Sequence, residues 1–178
     1  MKSELIENKL IIWNVSDSKK LFNNGYYGKP IGISKPKHDE IDVPLILDLI
    51  EGHYLQLKSK SQIYKNKKKI SKDSMLYICR DEYHNVDKKF QVYKNFRDKG
   101  YIVNPGIKFG CDFAVYQKGP GIDHAPFLVQ VYNRNENMSS TDVVLAGRLA
   151  TSVKKQFILA IPYGKERVDY LALDWWKA

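Results

Sequence analysis

The stretch GIKFGCDFAVYQKGPGIDHAPFLVQVY, residues 106–132, decides the fold of the second half of the chain, because it reads as two strands joined by a reversing loop. DFAVY and FLVQVY are rich in β-branched and aromatic residues, and QKGPGIDHA between them holds the glycines and proline that a turning backbone needs. Period-two alternation predicts that Asp112, Ala114 and Tyr116 share one face of the first strand. The reversal then brings Tyr116 and His124 to neighbouring strand ends. GRLATSVKKQFILAI, residues 147–161, reads as the end of a helix expected over about Thr141–Gln156 and running into another strand. Along that helix Ala146, Leu149, Ala150, Val153 and Phe157 form the expected buried stripe, which leaves Arg148 and Lys155 together on another face, about 10 Å apart along the axis.

Working outward, Val86, Phe90, Tyr93 and Arg97 recur at helical spacing until Gly100, with Val92 and Phe96 beside them. YIV, FILAI and VDYLALDWW complete a run of strands around the expected 141–156 helix. The composition shift near Asn85 predicts two domains, a small mixed domain over 1–85 and an α/β domain over 86–178. Within the first, a strand is expected over Leu10–Asn14 and a short helix from Asp17 to Gly25. Asp42 and Pro44 make a helix entrance for PLILDLIE, with Gly52 as its stop. HYLQL and SQIY read as strands, NKKK at 66–69 as an exposed turn, and 73–83 as a helix. The fold class is α/β in the broad sense, or α+β.

The chain has 178 residues, a net charge of +9 and a pI near 9.4, with the excess charge divided almost evenly between its halves. A distributed positive charge points to an anionic partner, since each lysine or arginine set against a phosphate releases condensed counterions. Hydrophobic residues at 43% with 12% aromatics exclude a wholly disordered chain. MKSELIENKLIIW lacks the apolar run of a signal peptide, and no stretch approaches the roughly 20 apolar residues of a membrane span, so a cytoplasmic protein without membrane association is expected. Cys79 and Cys111 lack metal-ligand spacing with the four histidines and read as buried thiols.

Residues 106–132 and 147–161 together resemble the archaeal tRNA-splicing endonucleases, whose catalytic domain pairs a YGADF-like strand and an H-S/A-P strand start with an S-V-R-K helix end. Ser152-Val153-Lys154-Lys155 follows that order, with Lys154 standing where the family has arginine. The resemblance implies a restriction-endonuclease-like C-terminal catalytic domain that cuts precursor tRNA at bulge-helix-bulge sites. On this likeness Tyr116 is the general base, His124 the general acid and Lys155 the cation facing the transition state, leaving a 2′,3′-cyclic phosphate and a 5′-hydroxyl with neither metal nor cofactor. These residue types fit that chemistry, which needs a base for the 2′-hydroxyl, an acid for the departing 5′-oxygen and a cation for the phosphorane. From the residues alone, tyrosine and histidine could exchange roles.

The same likeness matches Arg148 to the first position of a clamp on a bulged base. The second position falls in the C-terminal strand, where Arg167, Trp175 and Trp176 all stand, and Trp175 is counted among the candidate RNA contacts. GYYGKPIGISKPK resembles a loop of the crenarchaeal catalytic subunits that is thought to reach the RNA, which makes Lys35 and Lys37, with Lys29, further candidates. Family enzymes have two catalytic and two structural units. Self-sufficient ones resemble one another in an acidic loop, but Pro162–Arg167 here is not acidic, so a separate structural subunit and a heterotetramer are expected. LALDWW would cover its aromatic edge by pairing with a second copy. Two rivals remain: a metal-dependent nuclease, for which Asp112 is available but the acid-x-lysine pair is missing, and a non-catalytic RNA-binding subunit.

Overall fold

The alternation of Ser3 and Leu5 with polar neighbours builds the first strand, β1 (Lys2–Ile6), which turns at Glu7 and Asn8 into β2 (Lys9–Ile12). Leu10 and Ile12 are completely buried on the same side as Leu5. The computed structural model describes residues 1–34, 36, 41–120, 122, 125–152 and 154–173. The chain divides into two compact units, Met1–Val86 and Asp87–Ala178. Among the described residues it contains five α-helices and two mixed sheets, the α+β architecture anticipated above.

In the first unit Asn14 caps α1 (Val15–Asn23), its Oδ1 accepting from the Asp17 amide at 2.9 Å. β3 (Lys29–Pro30) and β4 (Leu45–Leu47) extend the sheet beyond β2, and β5 (Gln62–Lys65) pairs parallel to β1 with β6 (Lys68–Lys69) at the far edge. The strand order is β3-β4-β2-β1-β5-β6. α2 (Leu49–Leu57) and α3 (Lys72–Glu82) complete the unit.

The sequence expectation around α2 needs correction. PLI is not helical: Leu45–Leu47 pairs with β2 and β3, and the N-cap is Asp48, whose Oδ1 accepts from Ile50 N at 3.0 Å. HYLQL lies inside the helix rather than in a strand. Residues Leu49–Gln56 are all buried, so the segment has no polar face from which helical periodicity could be seen. Nor does Gly52 end the helix. It sits mid-helix, where a Cβ would fall 1.9 Å from Leu10 Cδ1 of β2. Contact with the sheet selects glycine there.

The second unit opens with α4 (Val86–Asp98) and continues through β7 (Ile102–Pro105), β8 (Phe113–Tyr116), β9 (Phe127–Val131), α5 (Ser140–Ser152), β10 (Gln156–Tyr163) and β11 (Arg167–Leu173). The strand order is β11-β10-β9-β8-β7, with β9 and β10 parallel and the other pairs antiparallel. Parallel neighbours need a crossover, and α5 supplies it. Successive residues feed opposite faces of this sheet. Phe113 meets Tyr93 of α4 at 6.0 Å between ring centroids, whereas Ala114, Leu128, Phe157 and Leu159 pack with Ala146 of α5. Buried Arg97 ties α4 to β7, donating from Nη2 to Val103 O at 3.2 Å. Gln91 Nε2 fastens the β10–β11 hairpin by donating to Arg167 O at 2.9 Å.

Candidate active site

Three adjacent strands bring Tyr116 and Lys155 toward one place. Val115 of β8 pairs with Phe127 of β9, and Phe127 pairs with Gln156 of β10. One residue further along the same ladders, Tyr116 and Lys155 stand on either side of Pro126, and Gln156 N donates to Pro126 O at 2.8 Å. Two strand spacings put their Cα atoms about 10 Å apart. The pleat sends Tyr116 to the Ala114 side, and it packs against the cluster of Ala114, Leu128, Phe157 and Ala146. Phe109, from the 3-10 turn Ile107–Phe109, packs against the same cluster.

Lys155 follows α5 and is not part of it. The helix ends at Ser152, Lys154 takes a left-handed φ of 52°, and β10 begins at Gln156. The expected helix over 141–156 is thus shorter, and Arg148 and Lys155 do not share a helical face. Phe157 likewise belongs to β10, where it is buried. Lys154 is exposed while Lys155 is half-buried. Lys155 Nζ donates to Ala125 O at 2.5 Å and stands 5.5 Å from the Phe109 ring centroid. The ammonium is thereby placed beside a carbonyl and over an aromatic face, two groups that favour a cation.

The remaining candidates are distributed differently. Arg148 is on α5 and exposed. His124, Lys35, Lys37, Trp175 and Trp176 lie outside the described residues. Lys29 is exposed on β3. Asp112 serves a structural purpose: Lys89 of α4 stands 2.8 Å from its Oδ1, and its Oδ2 accepts from Val131 N at 2.8 Å. Sequence reasoning missed Phe109, a residue before a glycine that carries no catalytic signature of its own. α5 starts with a capping box, in which Ser139 Oγ accepts from Asp142 N at 3.1 Å and Asp142 Oδ2 accepts from Ser139 N at 3.0 Å. The Ser139 hydroxyl, donating to Asp142 Oδ2 at 2.7 Å, and then the Ser139 amide hold the Asp142 carboxyl below its ordinary pKa.

Cys79 and Cys111 are both buried and neither is in a disulfide. Burial, and next the Asp112 carboxylate, push the Cys111 thiol up to about 11. Because the folded value lies above the unfolded one, the contribution of this thiol to stability is complete below the ordinary thiol range and is lost as pH rises toward about 11. We expect Cys111 of the native protein to resist a thiol-specific reagent at pH 8 and to react once the chain is unfolded, as read by mass spectrometry. Rapid native-state labelling at Cys111 would contradict the placement.

Against this geometry, the chain matches the tRNA intron endonuclease N-terminal domain over residues 1–76 and the catalytic C-terminal domain of the same family over residues 86–170. It is 41% identical to a tRNA-splicing endonuclease of Sulfurisphaera tokodaii, an alignment that covers 99% of each chain. A tRNA-splicing endonuclease of Hyperthermus butylicus is 35% identical over 99% of each, and one of Pyrobaculum islandicum is 39% identical over 90% of each. With both family domains in order and full-length likeness to crenarchaeal relatives, the chain belongs to the tRNA intron endonuclease family and carries its catalytic domain.

Proposed function

We propose that the chain is a catalytic subunit of a tRNA-splicing endonuclease, acting in the cytoplasm on precursor tRNA at bulge-helix-bulge splice sites. Its domains divide as an N-terminal part over 1–85 and a catalytic part over 86–178. Tyr116 takes the proton of the 2′-hydroxyl, O2′ attacks phosphorus, and the P–O5′ bond breaks as His124 delivers a proton to O5′. Lys155 faces the negative charge of the phosphorane. The products carry a 2′,3′-cyclic phosphate and a 5′-hydroxyl, and the base, acid and cation all come from side chains.

The observation that carries this reading is the hydrogen bond from Lys155 Nζ to Ala125 O, with Tyr116 on the other side of Pro126. Ala125 directly follows His124 in the chain, so the ammonium is anchored on the neighbour of the proposed acid. The commitment of Asp112 to Lys89 and the Val131 amide favours this side-chain mechanism over the metal-dependent alternative built on that carboxylate. Arg148 on the exposed side of α5 grips a bulged base, and Lys35, Lys37 and Trp175 contact RNA elsewhere.

Assembly follows from two surface features. β11 is the last strand of its sheet, with Leu171 exposed, and pairing of this edge between two copies gives a self-dimer. The β10–β11 turn carries Lys165 and Arg167 beside one acid, and that acid, Glu166, already pairs with Lys94 at 3.3 Å. An acidic docking loop therefore comes from a separate structural subunit in a heterotetramer. The test is cleavage of an end-labelled bulge-helix-bulge RNA in EDTA, with this chain alone, with an acidic-loop subunit, and with His124→Ala. Cyclic-phosphate ends that require both the partner and His124 are the expected result. Cleavage by this chain alone would remove the partner requirement, and cleavage that needs magnesium would remove the mechanism.

A further inference from the structure

The NKKK segment plays no part in the site described above. Lys65–Lys69 forms a hairpin between β5 and β6 in which Lys65 pairs with Lys68 and Tyr64 with Lys69. Asn66 and Lys67 at its tip take left-handed φ values of 50° and 64°, which fit a tight two-residue turn and hold the hairpin in one register. Among the described residues, Lys65, Lys67, Lys68 and Lys69 form no ion pair. All four are exposed. Four adjacent cations without counter-charges repel one another, so an anion binding there gains what the fold leaves unsatisfied.

Beside the hairpin is the face of the first sheet opposite its buried side. Ser3, Leu5, Leu10, Ile12 and Ile63 point into the core, which leaves Lys2, Glu4, Gln62 and Tyr64 on the open face. A groove of about 750 Å³ lies here, lined by Lys2, Glu4, Trp13, Asp17, Gln62, Tyr64 and Lys67. Trp13 is 54% exposed, and its indole Nε1 donates to Glu4 Oε2 at 2.8 Å, so the ring is pinned by one edge with its surface in solvent. Tyr64 OH donates to Gln62 Oε1 at 3.0 Å, and Lys2 Nζ stands 5.7 Å from the Tyr64 ring.

An oriented, exposed indole beside a second aromatic ring and a row of unpaired lysines matches the chemistry of unpaired nucleotides, because every base presents a π-face and every linkage a phosphate. An acidic peptide would use the lysines and leave the pinned indole without a purpose. We propose that the open face of the first sheet is a second RNA site, separate from the candidate active site, that stacks an unpaired base on Trp13 and sets its flanking phosphates against Lys2, Lys67 and Lys69. The inference rests on the RNA-processing reading for its ligand, and it adds a contact on the N-terminal unit.

The test is fluorescence anisotropy of the full chain with a fluorescein-labelled, unstructured ten-nucleotide RNA in EDTA. Trp13→Leu is expected to weaken binding about tenfold, since loss of one stacked base has that effect, while Trp13→Phe retains most of the affinity. Lys67→Ala with Lys69→Ala is expected to lower the slope of log affinity against log salt by about 1, as for loss of one or two single-strand phosphate contacts. Tyr77→Ala, at an exposed position of α3 outside the groove, should leave this affinity unchanged. The idea fails if wild type does not bind the oligonucleotide, or if Trp13→Leu binds within twofold of it. It also fails if Trp13→Leu changes the sedimenting mass and not RNA affinity, which would make the face a protein interface. Cleavage of the bulge-helix-bulge RNA by wild type is scored separately, so loss of the cleavage mechanism and loss of this site are distinguishable.

Discussion

Lys155→Ala is expected to lower the single-turnover rate of bulge-helix-bulge cleavage by about 10²–10³, the range lost when one preorganised electrostatic donor is removed from a developing oxyanion. The reason is positional. The Lys155 ammonium is held by Ala125 O and Phe109, so in the proposed mechanism it would meet the phosphorane without reorganising. Alanine removes that charge while leaving the adjoining β10 ladder in place. RNA affinity should change little, because the lost interaction belongs to the transition state. Lys154→Ala is the internal comparison: Lys154 is exposed on a left-handed residue, and its loss should leave the rate near that of wild type. Equal rates for Lys155→Ala and wild type would remove Lys155 from the mechanism, and a larger loss at Lys154 would exchange the two.

Gly52→Ala is expected to destabilise the protein by about 2 kcal/mol, against the ordinary helix preference. In an exposed helix interior the same change stabilises by about 1 kcal/mol, because alanine has less backbone entropy to lose. Here the new methyl falls 1.9 Å from Leu10 Cδ1, and Leu10 is completely buried in β2. The leucine must leave its rotamer or α2 must move away from the sheet, and either disturbs close packing. Urea denaturation measures the loss. A double variant with Leu10→Ala should lose less than the two single changes summed, since the alanine at 52 fills part of the cavity that Leu10 leaves. Stabilisation by Gly52→Ala would mean that position 52 is an open helix-interior site and does not pack against β2.

The contrast at α2 shows why parts of the fold were not legible. β8, β9 and β10 show in the sequence as β-branched and aromatic runs between turn residues, and α4 shows as a repeat of apolar residues at helical spacing. Each has a face whose composition differs from the other or a boundary marked by glycine or proline. α2 has no such contrast, being buried on all sides, so its LIEGHYLQL could be divided several ways. β1 is not legible for a different reason: only Ser3 and Leu5 of its five residues point inward, too short a pattern to stand out. The sequence predicts too late an end for α5 because Phe157 continues its apolar stripe at helical spacing, whereas a left-handed Lys154 interrupts the helix.

For the site, the sequence determined the residue types and their order: a tyrosine ending one strand, a histidine before the next, and a lysine before a third. With the motifs around them, these residues resemble the family whose domains and relatives match along the chain. Tertiary structure alone decided what stands beside what. Parallel pairing of β9 with β10 across the α5 crossover brings Lys155, 30 positions away in the chain, onto the carbonyl of Ala125, and Phe109 beneath its ammonium. Local propensities specify strands and turns because they act between near neighbours. A contact between residues so far apart exists only after chain entropy has been overcome by burial of a common core, so it is a property of the packed sheet and not of any segment within it.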